Sequence, residues 1–263
     1  MTMNILKTHT LPGQQADTFN VYWTNSTVRL AGLLRVKVAA KVEDKAIAAE
    51  LAALQHLLEV RCVLGNNISG NAKTQLIVSS GAIRKLQRRQ SEKVHLAPYA
   101  NFLCTRFAAC PITVEKDTRW FSEQLPMTEE DLLVSGPRQE TIRLRGLGEV
   151  SVTRHALVRF VDRALVDQSS DQVMQVAWKK LRRLAEHQSV NEVSRQSLWA
   201  GVIHNRNGKH EGRYFLNSVQ QMVMVVTDNP NEGPRLVTTY PVTRHFHQLE
   251  KRPDAVRYKD TKV

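Results

Sequence analysis

A histidine and an arginine four residues apart are the most chemically suggestive pair in this chain. His155 and Arg159 lie in the segment VSVTRHALVRFVDRAL (150–165), where helical spacing puts both side chains on one face. Histidine can exchange a proton near neutral pH, and arginine can bind an anionic oxygen. The pair could therefore perform acid–base chemistry beside a phosphate, or it could make surface contacts and nothing more.

Clusters of positive side chains occur in both halves of the chain. GAIRKLQRRQ (81–90) and SDQVMQVAWKKLRRLAEH (170–187) are helical in pattern, and HNRNGKHEG (204–212) has the composition of a polar, basic loop. Such clusters either form a solvated surface or contact phosphates. The three cysteines and nine histidines show no zinc-ligand spacing, so we predict no metal site and no cofactor.

The overall charge favours a polyanionic partner. The 263 residues include 37 Lys and Arg against 25 Asp and Glu, a formal charge of +12, on a chain that is 42% hydrophobic. Nucleic acid is the commonest partner of such a surface, although a basic surface can also serve solubility alone. No stretch approaches the roughly 18 apolar residues of a membrane span, and residues 1–15 lack the apolar core of a signal peptide. We expect a soluble, cytoplasmic protein without a membrane partner.

Composition divides the chain into two periodic regions. The predicted parts are an N-terminal arm (1–17), a first domain (18–121), a linker or connecting hairpin (122–149), a second, basic domain (150–245) and a basic tail (246–263). Residues 138–263 hold 21 Lys and Arg against 13 Asp and Glu, so two thirds of the positive excess lies in the second half. The second domain is therefore the stronger candidate for binding nucleic acid.

The first domain is predicted to contain three strands, a helix, a strand, two helices and a last strand. These elements are placed at 19–24, 28–40 (two strands divided near Gly32), 44–60, 74–80, 81–90, 98–109 and 110–117. The helix at 44–60 has the clearest pattern, with apolar residues at helical spacing and Asp44 as its expected N-cap.

With the segments VYWTNS, AELAALQHLLE and LIVSSGAIRKL, residues 18–121 resemble the ribonuclease H fold. The resemblance implies carboxylates after the first strand, in the helix and after the fourth strand, which would hold two cations for phosphodiester hydrolysis. These positions carry Asn25, Glu50 and Ser80, and Asp117 is the candidate for the last ligand. Since one carboxylate does not hold a metal pair, the resemblance implies an inactive relative kept for binding or assembly. Alternatively, Glu50 is a surface residue of an amphipathic helix.

The second domain is predicted to contain two helices followed by strands. Thr153 is expected to cap a helix that runs to residue 165, and a second helix covers 170–187. Strands are placed at 197–204, 212–218, 221–228 and 235–242. The predicted fold class is thus α+β with an α/β-type first domain: a ribonuclease H-like mixed sheet with helices, then a helix–helix–antiparallel-sheet domain.

The element order of residues 150–243, with RHALxRFxxR in the helix and VVT…TTYP in the strands, resembles the barnase–RelE-like superfamily of metal-independent ribonucleases, many of which are toxins. Such enzymes need a base for the ribose 2′-OH, an acid for the leaving oxygen and cations for the developing charge. The resemblance implies His155 as acid or base and Arg159 facing the phosphate. It also implies charge from Lys209 or Arg213, and it places Tyr214 and Thr239 on the sheet.

Three functions remain open at this point. We favour an RNA-binding protein built on nuclease-derived folds without efficient catalysis. The alternatives are a metal-independent endoribonuclease, with His155, Arg159, Tyr214 and Thr239 as its catalytic residues, and an assembly protein that binds an acidic partner. DNA as a ligand, a protein partner and a homo-oligomer are left open. The candidate nucleic-acid-binding residues are the cations of the basic segments, namely Arg84, Lys85, Arg88, Arg89, Arg154, Arg159, Arg163, Lys179, Lys180, Arg182, Arg183, Arg206, Lys209 and Arg213.

Overall fold

The computed structural model describes residues 3–27, 30–65, 74–121, 127–163, 173–194, 212–230 and 233–242. The chain divides into two compact units, Met1–Arg138 and Gln139–Val263. It is an α+β protein with two six-stranded mixed sheets, one of them curled into a half-barrel, and with five α-helices in the described ranges. None of these helices combines the length and the apolar character that a membrane crossing requires.

The sheet of the first unit is a meander extended by parallel strands on both sides. Its strands are β1 (Asn4–Pro12), β2 (Thr18–Asn25), β3 (Leu30–Val38), β4 (Thr74–Val78), β5 (Ile112–Val114) and β6 (Met127–Val134). Their order across the sheet is β5-β4-β1-β2-β3-β6. β1, β2 and β3 pair antiparallel, whereas β4 joins β1, β5 joins β4 and β6 joins β3 in parallel.

Helices supply the crossovers that the parallel pairs require. They are α1 (Lys45–Glu59), α2 (Gly81–Gln87) and the single turn α3 (Asn101–Cys104). The Ala- and Leu-rich α1 buries its apolar residues in the core of the unit. Asp44 precedes α1 as predicted, but its carboxylate makes no capping bond and instead lies 2.7 Å from Lys93 Nζ.

Three predictions for the first unit need correction. Residues 4–12, expected as part of an arm, form β1 inside the sheet, and 127–134, expected in a linker or connecting hairpin, form β6 at its edge. Residues 30–38 form one strand rather than two. Gly32 lies inside β3, where a Cβ would come within 2.5 Å of the Trp23 indole nitrogen. The glycine therefore allows close packing and does not break the strand.

The second unit packs two helices against its sheet. The elements are β7 (Thr141–Leu144), β8 (Gly148–Val152), α4 (Arg154–Arg163), α5 (Val173–Glu186), β9 (Val190–Val193), β10 (Gly212–Asn217), β11 (Met222–Asn229) and β12 (Gly233–Pro241). The strand order is β7-β8-β12-β11-β10-β9. The apolar sides of α4 and α5 form one core with the facing side chains of the strands.

The predicted two helices and the later strands of this unit are present, but the sheet is mixed rather than antiparallel. β12 runs parallel to β8, which precedes the helices, and β8 pairs with β7 inside the segment expected as a linker or hairpin. Residues 150–152 form the end of β8, and α4 begins at Arg154, directly after the expected cap Thr153. β9 was not predicted, and the predicted strand at 197–204 and tail at 246–263 lie outside the described residues.

Candidate nucleic-acid interface

α4 presents His155 and Arg159 together on its exposed side, as helical spacing predicted. The helix begins where expected after Thr153, whose hydroxyl accepts a hydrogen bond from Ala156 N at 3.0 Å. Phe160, on the opposite side of the helix, is buried in the core and fixes its rotation. Arg159 Nε donates towards His155 Nε2 across 3.5 Å, so a cation lies beside a group that can accept a proton.

His155 and Arg159 form a polar stripe along α4. Arg163 extends this stripe by one helical turn and bonds α4 to β12. Its Nη1 donates to Thr238 Oγ1 and to the carbonyl oxygen of Thr239, each at 2.7 Å. Its guanidinium also stacks on the Tyr240 ring, 4.0 Å from the ring centroid. Arg163 is thus held in one geometry. Thr238 and Tyr240 were not among the predicted site residues, because their contact with the helix depends on tertiary packing.

The remaining predicted catalytic residues do not join this stripe. Thr239 is fully buried and pairs across the sheet with Met224, which belongs to the core under the helices. Tyr214 is 2% exposed and packs with Val223 and Val225 in a separate apolar cluster on the other face. Because paired and alternate residues define the two faces of a sheet, Thr239 and Tyr214 point to opposite sides.

α5 carries three of the six exposed Lys and Arg side chains in the described part of the second unit. Lys179, Lys180 and Arg183 are exposed, and none of the three forms an ion pair within the described part of the chain. Arg182 instead donates from Nε to Glu186 Oε1 at 2.8 Å, one turn further along the helix. The three exposed side chains therefore offer uncompensated positive charge to an anionic ligand.

Other predicted cations of this unit are less suited to that role. Arg213 forms a two-bond pair with Glu192, with distances of 2.8 Å and 2.7 Å, which lowers the pKa of the Glu192 carboxyl and raises that of the guanidinium. Arg154 is half-buried at the start of α4. Arg206 and Lys209 lie outside the described residues.

In the first unit, Glu50 is buried among hydroxyl groups and is not the surface residue of the alternative interpretation. Its side chain is 1% exposed, and Oε1 accepts hydrogen bonds from Thr8 Oγ1 at 2.9 Å and from Ser79 N at 2.8 Å. Ser79 Oγ donates to Oε2 at 2.5 Å. Burial raises the pKa of the Glu50 carboxyl, and these hydrogen bonds oppose the rise. The site holds one carboxyl with hydroxyl neighbours.

The residues expected beside Glu50 serve other purposes. Asn25 ends β2, where its Nδ2 donates to the carbonyl of Val63 at 2.5 Å, and Ser80 Oγ accepts from Ala82 N at the start of α2. Asp117 is paired with Arg119, with Oδ2 and Nη2 2.8 Å apart. The expectation for Asn25 and Ser80 was wrong because β1, not β2, is the strand beside β4, so Thr8 and Ser79 face Glu50.

Two further features of the first unit are its exposed cations and its lack of a metal-binding cluster in the described residues. Arg84, Lys85, Arg88 and Arg89 are exposed along and after α2, where they form a second basic surface. Among the described residues, no group of three or more His, Cys, Asp or Glu side chains is placed to hold a metal ion.

Comparison with protein-family models, with curated proteins and with solved structures found no match to this chain. Support for the two resemblances stated from the sequence therefore comes only from the element order and side-chain geometry of this chain. The functional proposal below is built from its exposed cations, the α4–β12 contacts and the environment of Glu50.

Proposed function

We propose that this protein binds single-stranded RNA through the second unit and that the first unit does not catalyse phosphodiester hydrolysis. The observation that carries the proposal is the set of three exposed, uncompensated cations on α5. Arg159 adds a fourth positive group, on α4. Positive side chains bind the phosphate backbone irrespective of base sequence, and each contact releases counterions.

The first unit supports the part of the proposal that concerns catalysis. The strand order β5-β4-β1-β2-β3, with a helix between β3 and β4, suits the ribonuclease H-like arrangement that the sequence resembles. In such an arrangement, Glu50 would need further carboxylates nearby to bind a pair of divalent cations. Thr8 and Ser79 lie beside it instead, and burial raises the pKa of its carboxyl.

A charge-removal experiment tests the binding surface. Replacing Lys179, Lys180 and Arg183 by Gln should weaken binding of a labelled single-stranded RNA by at least about tenfold and reduce the slope of log K against log salt by about two. A matched variant with Arg84, Lys85 and Arg88 replaced by Gln changes the net charge equally and should lose less affinity. Equal losses in both variants would mean that net charge, and not the α5 surface, governs binding.

The α4–β12 contacts favour a second candidate, metal-independent RNA cleavage. His155 and Arg159 are adjacent and exposed, and Arg163 is held beside them by Thr238 and Tyr240. Such a group could transfer protons and stabilise a phosphorane without a metal.

Incubation with RNA in EDTA separates the two candidates. We expect bound RNA to stay intact over hours, since no acid and base of the predicted set face one another. RNA fragments that form in EDTA, and that disappear in the His155→Ala variant, would establish the endonuclease instead. A protein that binds acidic polypeptides but no RNA would favour an assembly role.

A further inference from the structure

A basic cavity lies on the side of α5 that faces the β10–β11 turn. Its volume is about 380 Å³, which is within the range of roughly 300–1,000 Å³ typical of small-molecule sites. The apolar side chains Phe160, Leu184 and Met222 line its inner part, and each is less than a tenth exposed. Lys180, Arg183 and His187 line the rest together with two amides, so the described lining contains no carboxylate.

The wall of this cavity is fixed by a buried amide. Asn217 is fully buried, and its Nδ2 donates to the carbonyl of Leu184 at 3.0 Å. Its Oδ1 accepts from Ser189 Oγ at 2.9 Å and from Gln220 N at 2.8 Å. Asn217 thus joins the end of α5, the segment before β9 and the β10–β11 turn. A site held by such a network is rigid before any ligand arrives.

The same network includes His187. Ser189 N donates to His187 Nδ1 at 3.1 Å. Ser189 Oγ lies 2.8 Å from the same nitrogen and donates its own proton to Asn217 Oδ1, so the roles at Nδ1 depend on the tautomer of the ring. In the tautomer that has its proton on Nε2, Nδ1 accepts the hydrogen bond from Ser189 N, and Nε2 carries an N–H group. His187 lines the cavity, so this N–H can donate to a ligand next to Lys180 and Arg183, the two α5 cations of the lining.

We propose that this cavity binds one phosphorylated nucleotide unit, with its phosphate between Lys180, Arg183 and the His187 N–H. The sugar and base would lie against the apolar inner part, which a lone inorganic anion would leave unfilled. The inference rests on the proposed RNA binding, because it assigns a subsite to that surface. A free mononucleotide carries the same chemistry as a unit of an RNA strand, and the experiment treats the two separately.

The test is calorimetric titration of the full-length protein with UMP, AMP, their nucleosides and inorganic phosphate. We expect at least one mononucleotide to bind, and its nucleoside and inorganic phosphate to bind at least about tenfold more weakly. Replacing both Lys180 and Arg183 by Gln should weaken the mononucleotide by at least about tenfold. Arg143→Gln with Arg145→Gln, an equal charge change at exposed positions of β7 and its turn, should alter it by no more than about twofold.

A histidine variant tests the positioned donor separately. The amide of His187→Asn can still accept from Ser189 N but places no N–H at the Nε2 position, so mononucleotide affinity should fall while the thermal midpoint stays close to that of the parent. An affinity unchanged in this variant and in the Lys180/Arg183 variant would overturn the assignment. Equal binding of inorganic phosphate and mononucleotides would overturn it as well, since the apolar part would then contribute nothing.

Binding of an RNA oligomer in the same buffer keeps the two proposals apart. RNA that binds to a protein without mononucleotide affinity would refute the cavity and leave the proposed function standing. Mononucleotides that bind while RNA does not would refute the proposed function and leave a nucleotide site. If neither ligand binds, both proposals are wrong.

Discussion

At the scale of single residues, Glu50 illustrates how a fold can bury a single carboxyl group among hydroxyl and amide donors. Three hydrogen bonds from Thr8 and Ser79 occupy its oxygens, and burial raises its pKa. The group is a structural link between β1, α1 and the end of β4. Its environment resembles that of a buried polar core residue more than that of a metal ligand.

This description predicts the behaviour of Glu50→Gln. The amide oxygen can accept from Ser79 N and Thr8, and the amide nitrogen can donate to Ser79 Oγ. Because the pKa of Glu50 is raised on folding, the folded state holds an extra proton between the ordinary carboxyl pKa and the raised one, and the parent loses stability as pH rises through that window. The variant lacks this loss, so its stability relative to the parent should increase from pH 4 to pH 7 in urea unfolding.

Glu50→Ala is the control, because it removes the acceptor of the Ser79 N–H. It should cost about 1–3 kcal/mol for that buried donor alone. A Glu50→Gln variant that loses stability relative to the parent as pH rises would show that the buried group is a stabilising carboxylate.

At the scale of elements, the α4 N-terminus determines where His155 and Arg159 lie. Thr153 ends the turn after β8, and its hydroxyl satisfies one of the free N–H groups of the first helical turn. Arg163 fastens the other end of the helix to β12. The stripe is therefore fixed at both ends, which a candidate site on a ten-residue helix requires.

Loss of the cap should be measurable. Thr153→Ala should lower the free energy of unfolding of the second unit by about 1 kcal/mol, since it leaves the Ala156 N–H without its side-chain acceptor. Thr153→Ser keeps the hydroxyl oxygen and should lie much closer to the parent. Urea titration followed by tryptophan fluorescence compares the two variants. Similar stabilities of the Ala and Ser variants would mean that the hydroxyl does not stabilise α4.

The sequence predicted those elements whose patterns are local and periodic. α1, α5 and the strands β10, β11 and β12 lie close to their predicted positions. β1 was missed because four consecutive polar residues, KTHT, interrupt NILKTHTLP and a proline ends it, a pattern without the strict alternation that predicts a strand. β8 was not predicted because its five residues lie across the boundary between the expected linker or hairpin and the helix cap Thr153, and β9 has only four residues.

In the candidate site too, local patterns predicted the positions along a helix but not the tertiary contacts. Helical spacing was sufficient to place His155 beside Arg159, and composition was sufficient to locate the exposed cations of α5. The neighbours of Glu50 and of Arg163 depend on which strands pair, which no local pattern contains. The cavity beside His187 combines side chains from α4, α5 and the β10–β11 turn, so only the folded unit brings them together.

At the scale of the whole molecule, the cations behind the net charge of +12 lie on several separate surfaces. Arg213, Arg182 and Arg119 are paired with carboxylates, whereas the other three cations of α5 and those of α2 are exposed. Net charge alone supports any polyanion. Exposed, uncompensated cations beside a basic cavity in the second unit favour a phosphate backbone there in particular.

The most direct test is a salt titration of RNA binding in EDTA with the full-length protein. We predict that a labelled single-stranded RNA of about 20 nucleotides binds at roughly 50 mM salt, loses affinity by at least about tenfold at roughly 200 mM, and is recovered intact. Fluorescence anisotropy gives the affinity, and denaturing gel electrophoresis gives the integrity of the RNA. No binding at roughly 50 mM salt would contradict the proposed function, because electrostatic attraction is strongest there.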